Sequence, residues 1–194
     1  MDNFKKELND KIKQYSNEKY LDDYIKKEFI TDDGDADIFI YLNDIDELVD
    51  SRTRGEQTEL NNDIYEYFES KSSMLDNDTK ISFHIEGLDL TNKDKELVRH
   101  LFKEHYAIEL YKAQREYIGI RNKIFKLVLI GILSFLIYVF FFFNTSFDFF
   151  VEVFGFIFSF ALWEGFDAII YALNEAKDNR EAATQNLLTE IKFE

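Results

Sequence analysis

The chain has 194 residues and contains neither cysteine nor proline. Without cysteine there are no disulfides and no thiolate metal sites. Without proline no helix is kinked by a ring and no loop is stiffened by one. No cleavable leader is expected either, because the stretch DNFKKELNDKIKQ after Met1 has no apolar h-region. Bases are few: 23 Lys and Arg stand against 38 Asp and Glu, a formal net charge of -15. Residues 1–90 hold 24 acids and 11 bases. That excess argues against a nucleic-acid partner, whose binding surface would need clustered Lys and Arg. There is no Gly-rich phosphate loop, no zinc-type His/Glu motif, and no nucleophile-and-base pattern. The chain is therefore not expected to be an enzyme or to carry a cofactor or metal.

What the chain does have is two long apolar runs, separated by Asn144, Thr145, Ser146, Phe147 and Asp148. The mean hydropathy of -0.31 averages these runs with a strongly polar remainder. About 20 apolar residues cross the ~30 Å hydrocarbon core of a bilayer. Only a structure that satisfies its own backbone groups survives there, which means helices for runs of this length. The runs predict a first span over 123–143 and a second over 149–173, with the first directing insertion. Lys112, Arg115, Arg121, Lys123 and Lys126 precede or open the first span, and Lys177 and Arg180 follow the second, whereas the intervening turn has no Lys or Arg. By the positive-inside rule both termini are cytoplasmic and the protein is a multi-pass protein of the cell membrane. Trp163, Arg121, Lys123 and Lys126 read as interface anchors. Asn144-Thr145-Ser146 matches a glycosylation sequon, but it lies too close to the bilayer, and the Lys, Asn, Ile and Phe bias has a bacterial cast.

The polar remainder reads in segments. Phe4, Leu8, Ile12 and Tyr15 predict an N-terminal amphipathic helix over 1–30, packed on the cytoplasmic domain or on a partner. Residues 31–90 predict a small α+β domain. Its acidic start, Thr31 to Asp37, does not put Gly34 where a calcium loop needs its glycine, so it reads as a solvated turn. Ile38 to Leu42 then reads as a strand, Asn43 or Asp44 caps a short helix, and Arg52 and Arg54 read as loop charges. Leu60, Ile64 and Phe68 mark one helix face. Lys80 to Glu86 alternates as a half-buried strand, Ile81, Phe83 and Ile85 inward and Ser82, His84 and Glu86 toward water. Thr91 to Asp94 resembles a capping box. From there no proline interrupts a long juxtamembrane helix over 91–122 that continues into the first span. Residues 174–194 predict a cytoplasmic tail helix. The fold class is thus an α+β cytoplasmic domain followed by an α-helical transmembrane hairpin. His100 with Glu104, and His105 with Glu109, read as i,i+4 surface pairs.

Several stretches together resemble a bacterial and archaeal family of small two-span membrane proteins of uncharacterised function. They are DIFIYLNDIDELV, ISFHIEGL, the helix around Arg99-His100-Leu101-Phe102, the lead-in Gly119-Ile120-Arg121, and Trp163-Glu164-Gly165-Phe166-Asp167. The family has a Trp-x-Pro-x-Glu-like pattern late in the second span. Here Asp167 takes the acid position, Gly165 replaces the proline, and a following tryptophan pair is lacking. The resemblance covers about residues 36–194 and implies no known activity.

The remaining candidates are acids within the second span, where a charge at the helix centre costs about 2.5–3.5 kcal/mol on the insertion scale. Glu152 lies near the outer end. Glu164 and Asp167 fall within about 60° of one another, with Tyr171 between them. Ala161, Gly165, Ala168 and Ala172 form a small-residue seam on an adjoining face, suited to close helix packing. The acids either pair with Lys or Arg of the first helix or tail, or they line a cation path. Two helices cannot enclose a pore, so the second option requires a homo-oligomer. Two functions follow. One is a channel-like membrane effector gated by its cytoplasmic domain. The other is a membrane-anchored interaction module without transport activity. The expected partners are the lipid bilayer, further copies of the chain, and a cytoplasmic protein or small-molecule signal.

Overall fold

The computed structural model describes residues 6, 11, 13, 28–50, 53, 58–143 and 148–194. The expected N-terminal helix positions Phe4, Leu8, Ile12 and Tyr15, the loop charges Arg52 and Arg54, and the sequon at 144–146 lie outside the described residues. The chain divides into two compact units, Met1–Tyr106 with Thr184–Glu194, and Ala107–Ala183.

The first unit is built on three parallel strands in the order β1-β2-β3. β1 is Ala36–Tyr41, β2 is Ile81–Glu86 and β3 is Glu190–Phe193. β1 starts two residues before the apolar run because Ala36 already donates its N–H to the Lys80 carbonyl, at 2.8 Å. Between β1 and β2 lie α1 (Ile45–Leu48) and α2 (Asn62–Ser72). Asp44 caps α1 by accepting from the Asp46 N–H, and Asn61 caps α2 by accepting from the Asp63 N–H. Each cap satisfies an orphan donor in the first turn. The long helix α3 (Asn92–Phe142) opens with a reciprocal box. Asp94 N–H donates to Thr91 Oγ1 at 3.3 Å, and Thr91 N–H donates to Asp94 Oδ2 at 3.1 Å.

Alternation places Ile38, Phe83 and Ile191 side by side on one sheet face. They join Ile64, Tyr65 and Phe68 of α2 and Val98, Phe102 and Tyr106 of α3 in one apolar core. The Phe102 ring is its hub, 5.1 Å from Phe68, 5.9 Å from Phe83 and 4.8 Å from Tyr106, centroid to centroid. Burial pushes the Tyr65 hydroxyl up to about 12, with the charge of Glu59 adding to the effect. At Gly87, φ is +89°, and a Cβ would collide with the Leu42 carbonyl oxygen and the Tyr41 ring. Only glycine fits where β2 ends so close to the β1 exit.

Two expectations are corrected here. His84 does not face water: it is 6% exposed, and Ser82 is buried too. A two-strand ribbon would leave them open, but β2 is the central strand and its neighbours cover both sides. The tail is not helical to its end. The helix stops at Leu188, and the last residues form β3, with Ile191 buried against Phe83.

The second unit contains the rest of α3, then α4 (Asp148–Asp167), a π-helical turn (Ala168–Ala172) and most of α5 (Leu173–Leu188). α3, and α4 with its continuation, are each long and apolar enough to cross a membrane. Their most apolar windows are only 11% and 17% buried, unlike the core helix of a globular domain. Phe125, Phe140, Phe156 and Trp163 are among the exposed side chains.

The two helices pack antiparallel, as a ladder of contacts shows. Phe141 stacks on Phe150 at 5.0 Å, Phe135 meets Phe158 at 5.0 Å, and Arg180 lies 4.4 Å over the Tyr117 ring. The covered positions of α3 include Tyr117, Ile120, Ile124, Leu127, Gly131, Ser134, Tyr138 and Phe141. Their alternating steps of three and four average 3.5, the repeat that keeps a seam on one side of a left-handed pair.

Candidate functional site

The polar centre of the second unit joins α3 to α4. Lys123 Nζ donates to Glu164 Oε1 at 2.6 Å. Glu164 lies 16 residues after Asp148, about 24 Å along the helix at 1.5 Å per residue. Lys123 is 20 residues before Phe143, about 30 Å along α3 by the same rise. The antiparallel packing brings these two far ends together, so the acid of one helix meets the ammonium of the other. The Glu164 side chain is 33% exposed and that of Lys123 56%. A charged hydrogen bond of this length is stronger than a neutral one, and it leaves no net charge on this turn of the pair.

Asp167 and Tyr171 do not join Glu164 at this contact. Both are exposed. The expected polar face thus separates into one acid at the helix interface and two groups outside it. Glu152 is exposed near the start of α4, and Arg121 and Lys126 are exposed on α3. Trp163 is 75% exposed.

The small-residue seam lies at the helix contact. Ala161, Gly165 and Ala168 are buried and Ala172 is half-buried. A Cβ built on Gly131 would lie 3.7 Å from the Ala161 Cβ, ordinary contact between closely approaching helices. The seam begins at Phe154 and Phe158 and steps four, three, four, three, four to Ala172. Beyond it the buried positions of this unit are Ala176 and Ala183, with Arg180 half-buried between them, each one residue later than that rhythm would give. The π-helical turn at Ala168–Ala172 lies where the rhythm slips. A π turn holds one extra residue, so it re-aims the following helix and keeps the same face covered. Asn174 Nδ2 donates to the Ile170 carbonyl there, at 2.9 Å.

A second polar group lies in the first unit and was not anticipated. His84 Nε2 is 3.1 Å from Asp37 Oδ1, and Nδ1 is 3.0 Å from Glu194 Oε1. The ring stacks on Phe39 at 4.4 Å. Two ionised carboxylates only accept, so both contacts are hydrogen bonds when both ring nitrogens carry protons. His84 thereby ties β1 and the end of β3 to the central strand. The signal in the sequence was indirect: a histidine on the middle strand with acids diagonal to it on both neighbours, visible only once β3 is known. His100 lies 3.8 Å from Glu104 as expected. Glu109 meets Lys112 at 2.6 Å, and His105 stacks on Tyr65 at 3.8 Å.

Among the described residues no group of three or more His, Asp or Glu could hold a metal ion. No protein-family model matches the chain, and no curated protein or solved structure matches it either.

Proposed function

We propose that the chain is an integral protein of the cell membrane, spanning it with α3 and α4, and that several copies form a channel-like effector gated by the α/β unit. The observation that carries this reading is the strand order. β3 follows the apolar helices in sequence, yet it pairs with β2, which precedes them. The helix pair is therefore inserted between two neighbouring strands of one sheet. A ligand or partner that shifts the sheet would act on the pair through α3 and α5 together. A passive anchor needs a single attachment. The Lys and Arg flanks favour a cytoplasmic α/β unit and an outward turn near Asp148.

In this reading the Lys123–Glu164 pair is a latch that neutralises the acid in the closed state. The same pair favours the second reading, a membrane-anchored interaction module, because a neutralised acid offers little to a passing cation. Flux of monovalent cations from liposomes separates the two. The channel reading expects flux from wild-type protein, more from Lys123→Gln, and less from Glu164→Gln. Liposomes that stay sealed with all three proteins would leave the interaction module. Protease protection tests the topology: cleavage near Asp148 from the cytoplasmic side would overturn it.

A further inference from the structure

A groove of about 300 Å³ runs along one side of the helix pair. Val128, Ile132 and Phe135 of α3 form one wall, and Leu162, Phe166 and Ile169 the other, with Gly131, Ala161 and Gly165 between them. Gly131 and Ala161 touch, as described above. Gly165 differs, because it is buried and yet nothing lies within 4 Å of where its Cβ would be. Its missing side chain leaves room at that point and makes no helix contact of its own.

Length and lining point to an apolar chain as the occupant. The groove reaches from Leu127 to Phe135 and from Phe158 to Ile169, about 12 and 16 Å at 1.5 Å per residue. The lining is apolar along that whole length, which suits a single extended hydrocarbon chain. Charge then indicates the headgroup. Arg121 lies seven residues before Val128, within about 20° on the helix and about 10 Å beyond the groove. It is exposed, and a guanidinium fork matches a phosphate.

We propose that this groove holds one acyl chain of an anionic phospholipid whose phosphate is taken by Arg121. The proposal rests on the reading of α3 and α4 as membrane spans. Its test is native mass spectrometry of the full chain in detergent, with added phosphatidylglycerol and phosphatidylcholine. Wild-type protein should keep phosphatidylglycerol in preference to phosphatidylcholine. Gly165→Leu should lose the retained lipid, and Arg121→Gln should keep a lipid but lose the preference. Ile132→Trp narrows the groove from the other helix and should repeat the loss, which keeps the test decisive if Gly165→Leu does not fold. Retention by both groove variants equal to wild type would overturn the proposal. So would a change of oligomeric mass with lipid unaltered, which would assign the groove to a second copy. Alkaline carbonate extraction separates the two levels. Wild-type protein released from membranes refutes the spans, whereas protein that stays in the membrane and keeps no lipid refutes only the groove.

Discussion

Replacing Ile191 by alanine should release β3 without unfolding the rest of the sheet. Ile191 is 4% exposed and faces Phe83 across the ladder. An isoleucine cut to alanine in a core costs about 2–5 kcal/mol. β3 is an edge strand, where neighbours collapse into the gap more easily, so the lower part of that range, about 2–3 kcal/mol, is expected. Besides its ladder with β2, which runs along one edge only, a few contacts hold the strand. Arg99 Nε donates to the Ile191 carbonyl at 3.3 Å and its guanidinium lies 4.9 Å over the Phe193 ring. Glu194 adds its contact with His84. Such bonds contribute about 0.5–1.5 kcal/mol each. Local release of β3 should therefore cost much less than global unfolding, typically 5–15 kcal/mol. Hydrogen exchange followed by mass spectrometry reads this directly. Amides of residues 190–194 should exchange ~30- to 150-fold faster, the factor that 2–3 kcal/mol implies, while the β1–β2 ladder stays protected. Unchanged exchange at 190–194 would refute the reasoning. So would equal acceleration across all three strands, which would make β3 inseparable from the core.

Three further perturbations test the first unit. Phe102→Ala removes the hub of the aromatic core and should lower stability by about 3–5 kcal/mol, read as a fall in the melting temperature of the full chain in detergent. Gly87→Ala should cost more than Gly34→Ala in the same assay. Both have positive φ, but only at Gly87 would the new Cβ meet other atoms, whereas nothing lies within 4 Å at Gly34. Tyr65 supplies a pH test. Its folded value is raised to about 12 from 10. Its stabilising contribution is thus fully present below pH 10 and is lost as pH rises toward 12, by about 2–3 kcal/mol in all. Melting curves at pH 9 and pH 11 should show a smaller drop for Tyr65→Phe than for wild-type protein. An equal drop would assign the alkaline loss to other groups.

The elements that read well from the sequence are those whose signal is local. The alternation Ile81, Phe83, Ile85 places a strand whatever lies beside it. Thr91 and Asp94 bond each other within one turn, and the apolar spacing Ile64–Phe68 needs only its own helix. β3 lacked such a signal. Glu190–Phe193 is four residues long and follows a strong helix former, so local propensity extends the helix through it. Its strand character comes from Ser82–Ile85, more than a hundred residues earlier, and from the space Ile191 fills against Phe83. The misreading of His84 follows from the same omission. With β2 at an edge, an outward histidine is solvated. With β3 added it becomes the middle of a row that runs Asp37, His84, Glu194.

The helix pair shows the same division, one level further on. The small-residue seam was legible, since Ala161, Gly165 and Ala168 share a face under any 3.6-residue helix. That Glu164 and not Asp167 meets the first helix was not legible, because the choice depends on how α3 and α4 pack. A uniform helix also fails beyond Ala168. Extending 100° per residue from the seam would bring residues 175 and 179 to the covered face, yet both are exposed and Ala176 and Arg180 take their place. The π-helical turn supplies the missing residue. It lies one turn past Glu164 and just before α5, the helix that leads back to β3. An insertion there sets which side of α5 is covered, so that Ala176 and not Glu175 is buried. Without the extra residue, the spacing that seats Ala161 and Gly165 would turn Ala176, Arg180 and Ala183 off the covered face. The irregularity is thus what keeps one face covered on both sides of the turn.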